Sequence, residues 1–166
     1  MKLIHKFKSP NFNNRKSNSI QFIIIHYTAL KSISESIEYL CSKKNKVSCH
    51  FLISKNGKIY NLVSEEKRAW HAGSSYWNKV IDINSNSIGI ELDYSFYKEN
   101  NIYEKKLIKS LIVLLIYLKK KYKIMPKNIL GHSDIAPYRK IDPGKYFPWK
   151  LLEKKKLAYE INKINN

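Results

Sequence analysis

Cysteine is scarce in this 166-residue sequence: Cys41 and Cys49 are the two present, and they form neither a CxxC pair nor a framework spacing. A disulfide-stapled scaffold is therefore excluded, and a chain of this length buries roughly two thirds of its unfolded surface as one domain without bridges. Two reduced, structural thiols fit a reducing compartment. Long apolar runs are missing as well. The most apolar window, Leu111 to Leu118, is far short of the roughly 20 residues that span a bilayer, so it reads as a buried helix and no transmembrane segment is expected. The first residues, MKLIHKFKSPNFNNRKSNS, lack the apolar core of a secretory signal, which points to the cytoplasm.

Negative charge is also in short supply. Thirteen Asp and Glu stand against 31 Lys and Arg, a formal net charge of +18. Such a balance suits a polyanion such as nucleic acid, an acidic membrane or an anionic wall polymer. The lysines, however, are spread along the chain amid heavy use of Ile, Asn, Tyr and Ser, which is compositional bias rather than a patch. No helix-turn-helix, zinc-finger or RNP-like pattern accompanies them, so a nucleic-acid partner is not expected. The runs Lys119 to Lys123 and Lys154 to Lys156 flank helical patterns and read as solvated helix ends.

What is present centres on Gly131 to Trp149, GHSDIAPYRKIDPGKYFPW, a Pro- and Gly-rich stretch expected to be irregular. His132 follows the apolar pair Ile129-Leu130 as if leaving a strand end, and Asp142 comes ten residues later with Lys140 two before it. A hydrolytic zinc site needs three protein ligands and an open position. The third ligand is expected from His26, in QFIIIHYTA, where an apolar, largely β-branched run reads as a buried strand with His26 at its C-terminal end.

In chain order, residues 1–19 read as an irregular N-terminal arm, with His5 a surface histidine. Ile20 to Ile25 is the buried strand. A helix is expected from Ser32, since Ser32 and Glu35 have capping-box spacing and Ile33, Ile37, Leu40 and Cys41 share a face. Ser48 to Ser54 and Lys58 to Val63 flank Asn56-Gly57, a hairpin signal with a two-residue type I′ turn. Residues 67–86 carry Trp70 and His71 and read as a long ordered loop. SIGIELD, residues 87–93, alternates as a strand whose polar face carries Glu91, with Asp93 unassigned. Asn101 is placed to cap a long helix through Leu118, with Leu107, Ile108, Leu111, Leu114 and Leu115 on its core side. Pro126 stops further helix, and Trp149 to Ile164 reads as a C-terminal helix. The fold class is α/β (α+β), one domain with a central mixed sheet flanked by helices.

The ordered set IIIHYTA, SCHFLISKNGKIY, RAWHAG, SIGIEL and GHSDIAPYRKIDPGKYFPW resembles the amidase 2 family of zinc-dependent N-acetylmuramoyl-L-alanine amidases, which share the fold of peptidoglycan recognition proteins and phage T7 lysozyme. The resemblance runs from Ile20 to Trp149 and implies a catalytic domain over residues 20–166. It implies hydrolysis of the bond between the lactyl group of N-acetylmuramic acid and L-alanine in peptidoglycan or its fragments, 1,6-anhydro-muropeptides included. One Zn2+ per chain would be held by His26, His132 and Asp142. Glu91 would act on the attacking water and Lys140 on the oxyanion, while Trp70, His71 and Tyr27 would line the substrate groove. His50 reads as structural and Asp134 as a turn-stabilising residue. Two rivals of other classes are a non-catalytic peptidoglycan-binding module and a basic nucleic-acid-binding protein. The leaderless start suggests cytoplasmic wall recycling, whereas HYTA and KYFPW look more like the exported branch of the family.

Overall fold

A computed structural model describes residues 1–17, 19–95 and 102–159. Along these residues run the strands β1 Leu3–Ile4, β2 Phe12–Asn14, β3 Phe22–Tyr27, β4 Phe51–Ile53, β5 Ile59–Asn61, β6 Lys67–Ala69, β7 Ser87–Leu92 and β8 Ile129–Gly131. The α-helices are α1 Ile33–Cys41, α2 Ile83–Asn86, α3 Lys105–Tyr122, α4 His132–Ile135 and α5 Trp149–Lys154. Six strands form one mixed sheet in the order β1-β5-β4-β7-β3-β8. β3, β7, β8 and β4 are mutually parallel where they pair, while β4 and β5 form an antiparallel hairpin.

β3 is flanked on both sides and covered on both faces, which is why its run is apolar without alternation. Ile23 and Ile25 face α3 in a cluster with Phe51, Ile88, Leu111 and Leu115. Phe22 and Ile24 face the opposite way, against Ala72, Ile83, Leu130 and Ile135. α1 closes a third cluster over Leu52 with Leu40. Ser32 caps α1 as expected, its Oγ accepting from Glu35 N at 3.1 Å. Glu35 completes the box one residue further out, accepting from Lys31 N at 3.0 Å.

The described part of the N-terminal segment is not a purely irregular arm, since it carries β1 and β2. β1 adds to the sheet edge in parallel with β5, β2 pairs antiparallel with β6, and Ser9 and Asn11 are buried. The hydropathy of this segment is low because its edge strands are short and its anchors polar: Asn11 Nδ2 donates to the carbonyls of Ser42 and Val47 at 2.8 and 2.9 Å. The loop expected over 67–86 likewise contains β6 and α2.

The hairpin turn is also one residue longer than the Asn-Gly signal suggested. Gly57 N donates to Ser54 O and Ser54 N to Lys58 O, leaving Gly57 at φ +83 as the bulge residue after the turn. α3 packs against this turn, and a Cβ on Gly57 would lie 2.9 Å from the Lys106 carbonyl oxygen, so the position requires glycine. The expected cap Asn101 lies outside the described residues. α3 begins at Lys105, because Tyr103 is drawn into the core, stacked 3.9 Å from Tyr94 and donating to the Pro143 carbonyl at 2.7 Å. At the other end of the chain α5 stops at Lys154. Lys156 is left-handed at φ 56, and bonds from Leu157 N to Leu152 O and from Lys156 N to Glu153 O close a Schellman-type end that buries Leu157.

Candidate metal centre and catalytic cleft

Sheet register brings the sequence-predicted ligands together. Ile25 pairs with Gly131 across β3 and β8, so His26 and His132 follow side by side at the strand ends, where α4 begins at once instead of an irregular loop. The chain then returns through Ser133 N, which donates to Asp142 O at 2.9 Å. Three side-chain atoms converge: His26 Nδ1 and His132 Nδ1 are 3.0 Å apart, and Asp142 Oδ2 lies 3.0 Å from the first and 3.1 Å from the second. All three residues are buried.

Hydrogen bonds alone do not satisfy this triangle. If both Nδ1 atoms carry hydrogens, two donors face each other at 3.0 Å; if one does, its hydrogen serves one neighbour while the other Nδ1 lone pair still faces the carboxylate oxygen; if neither does, three lone pairs meet. One cation at the centre satisfies all three. Ligand atoms about 2.0 to 2.1 Å from a tetrahedral zinc lie about 3.3 Å apart, close to the distances seen, and two imidazoles with a carboxylate are a hydrolytic zinc donor set. The residues present fit the metal. Burial pushes His26 down to about 4 against the opposing pull of Asp142, so its imidazole is neutral at pH 7 and able to ligate.

His26 pairs in register with Glu91 on the adjacent strand β7, so both side chains leave the sheet on one side. They line a cleft of about 340 Å³ together with Tyr27, His71, His132, Lys140 and Asp142. Burial above all, then the Asp142 charge, raises the Glu91 carboxyl to about 8, with Lys140 opposing. Glu91 Oε2 has no hydrogen-bond partner among the described residues, leaving it free to meet a ligand in the cleft. Trp70 is not among the residues lining this cleft: its Nε1 donates to Asn13 Oδ1 at 2.9 Å, tying β6 to β2. His71 sits behind His26, with Nδ1 3.0 Å from His26 Nε2. His50 is buried away from the cleft and accepts from Gly89 N through Nδ1 at 2.9 Å. Asp134 accepts from Gly131 N at 2.7 Å and holds the start of α4.

The family model described as N-acetylmuramoyl-L-alanine amidase matches residues 16–145, a span that includes the whole triangle. The chain belongs to the N-acetylmuramoyl-L-alanine amidase family. Among curated members of this amidase family, AmiD of Escherichia coli is 39% identical over 80% of the chain, and the chain spans about half of its length, 52%. The 1,6-anhydro-N-acetylmuramyl-L-alanine amidase AmpD of Haemophilus influenzae is 32% identical, with 87% of both chains covered. Escherichia coli AmiD, solved with the substrate anhydro-N-acetylmuramic acid-L-Ala-D-gamma-Glu-L-Lys, superposes with a TM-score of 0.79 at 31% identity over 93% of this chain and 70% of that one. AmpDh3 of Pseudomonas aeruginosa, in complex with anhydromuramic pentapeptide, gives 0.77 at 31% identity over 96% and 70%.

Within this amidase fold, the residues that sequence reading passed over are three arginines that tie segments of the chain together. Arg15 donates to the carbonyls of Glu65, Asn84, Ser85 and Ser87 at 2.9 to 3.1 Å, and burial lowers it to about 10. Arg68 grips Asp82 Oδ1 through two nitrogens at 3.1 and 2.9 Å. Arg139 Nε donates to the Ser74 carbonyl at 2.9 Å. The signal was their rarity: in a chain that uses lysine almost everywhere, Arg15, Arg68 and Arg139 are the three arginines, and each stands where a planar fork of donors is needed.

Proposed function

We propose that this chain is a zinc-dependent N-acetylmuramoyl-L-alanine amidase that hydrolyses the amide between the lactyl group of N-acetylmuramic acid and L-alanine in peptidoglycan fragments, 1,6-anhydro-muropeptides among them. The observation that carries the reading is the buried triangle of two imidazole nitrogens and a carboxylate oxygen opening into the same cleft as Glu91. The named relatives and the muropeptide-bound structures support it. Residues 20–166 would form the catalytic unit, with β1 and β2 of the preceding segment paired onto β5 and β6.

His26, His132 and Asp142 would hold one zinc ion. When bound, zinc supplies a Lewis acid and lowers the pKa of a coordinated water. Glu91, poised high in its buried site, takes the proton of the attacking water and passes it to the leaving amine of L-alanine. A cation beside it favours its carboxylate form, bringing it toward the neutral range in which a base works. Lys140 offers only donors, so it does not ligate the metal; its ammonium stabilises charge developing on the carbonyl oxygen. Tyr27 forms cleft wall against the substrate. Trp70, through its bond to Asn13, would steady the β6 segment leading to His71. Among the described residues no helix is long and apolar enough to cross a membrane.

The test is mass spectrometry of a muramoyl-peptide and its anhydro form after incubation with zinc-loaded protein, beside a chelated control. Release of free peptide beginning at L-alanine, abolished by the chelator, is the expected result. Binding of both substrates without cleavage, zinc being bound, overturns it in favour of a recognition module.

A further inference from the structure

Both candidate ligand histidines present Nδ1 to the metal centre, so each must keep its hydrogen on Nε2 to ligate as a neutral imidazole. One short segment lies behind both rings. His132 Nε2 is 3.0 Å from the Ala72 carbonyl, which only accepts, and Arg139 Nη2, 3.4 Å from Nε2, gives its hydrogens to the Ala72 and Ser74 carbonyls, so Nε2 carries the hydrogen and Nδ1 the lone pair. His26 Nε2 is 3.0 Å from His71 Nδ1, and either nitrogen of that pair is able to donate. The direction is set further back. Ser87 Oγ commits its hydrogen to the Ile83 carbonyl at 2.7 Å, so in its 3.1 Å contact with His71 Nε2 the histidine donates. His71 Nδ1 is then bare and accepts from His26 Nε2, and His26 Nδ1 is left bare toward Asp142.

We propose that the dipeptide His71–Ala72 is the positioning element of the metal centre, setting the tautomer of His26 through an imidazole relay and that of His132 through a backbone carbonyl. The proposal rests on the metal-site reading above and adds residues that act through the ligands. Two contacts hold the dipeptide in place. Asn84 Oδ1 accepts from both His71 N and Ala72 N, at 3.1 and 2.8 Å. On the other side the His71 ring packs against Gly89, where a Cβ would stand 2.4 Å from His71 Cγ, so the imidazole has no room to turn. His71 is only 6% exposed and meets His26 edge-on. An acceptor behind a ligating histidine both orients the ring and raises its basicity.

The experiment uses 15N-labelled full chain. Imidazole 15N–1H correlation spectra of the zinc-free protein read the tautomers, and competition with a chelator reads zinc affinity, both independent of turnover. Wild type is expected to show His26 and His132 as Nε2–H tautomers, both hydrogens held by the acceptors behind the rings although three lone pairs then face one another until a cation enters. His71→Phe should turn His26 into a tautomer mixture, leave His132 unchanged because Ala72 still accepts, and weaken zinc binding about 10- to 100-fold. His71→Asn, whose Oδ1 stands near the place of Nδ1, should recover part of that loss, and Ser87→Ala should shift His26 in the same direction by less. A wild-type His26 protonated on Nδ1, or His71→Phe with unchanged tautomer and affinity, overturns the proposal. If His71→Phe fails to fold, Ser87→Ala decides, and an unchanged His26 tautomer there overturns it. A wild type that binds no zinc sinks the metal-site reading, while the spectra still judge the relay.

Discussion

At the scale of the residue, Glu91 and His132 line one cleft, and the proposed function gives them separable work. Glu91→Ala should leave zinc bound and lower turnover by about 10² to 10⁴, whereas His132→Ala should lose both; metal content and initial rates on one muropeptide distinguish them, and equal zinc loss in the two variants would remove Glu91 from its assigned role. The buried neutral histidines also give stability a pH dependence. Burial and then the Arg15 charge lower His50 to about 3 from its ordinary 6.5, and burial lowers His26 to about 4. Between those values and 6.5 the unfolded chain binds protons that the fold refuses, so stability is lost as pH falls through this window. The urea midpoint of chelator-treated protein should therefore drop from pH 7 to pH 4.5, less steeply in His50→Asn, which keeps an acceptor for Gly89 N. A midpoint flat across that range would contradict the buried neutral state.

At the scale of the element, short edge strands are held by side chains that reach under the sheet. β2 and β6 are three residues each, too short to persist alone, and Arg15 joins their end to α2 and β7 through backbone carbonyls. Removing its fork strands several partly buried acceptors, so Arg15→Met should destabilise by about 3 kcal/mol in equilibrium unfolding. Arg15→Lys should recover little, because an ammonium cannot span that array in one plane; full recovery by lysine would show that charge alone matters. α3 is the converse case, an element held by apolar packing. Leu111 is fully buried against β3 and β7, and Leu111→Ala should cost about 2 to 5 kcal/mol.

At the scale of the molecule, the proposed metal centre would also be a clasp. It joins the end of β3, the start of α4 and the returning segment at Asp142, so zinc should stabilise the fold as well as serve chemistry. With free zinc 100-fold above its dissociation constant the gain is about 2.7 kcal/mol, and thermal unfolding with and without chelator should show the loss. An unchanged Tm on chelation would mean that zinc does not bind these three residues in the native state.

The sequence by itself determined the parts whose physics is local. β3 was legible because a strand buried on both faces must be apolar throughout, and α1 because its cap and periodicity lie within ten residues. The candidate ligands His26, His132 and Asp142 and the proposed base Glu91 were legible because His26, Glu91 and His132 lie on or directly after strands and Asp142 follows in the Pro- and Gly-rich segment, all within the motifs that carry the family resemblance. What only the tertiary structure decided depends on partners far away in the chain. The pairing of β1 and β2 with β5 and β6, the bulge at Gly57 against α3, the late start of α3 behind buried Tyr103, and the burial of His71 behind His26 all follow from contacts between residues dozens of positions apart. No window of sequence carries those forces, since a polar residue satisfied by a distant carbonyl looks locally the same as one satisfied by water.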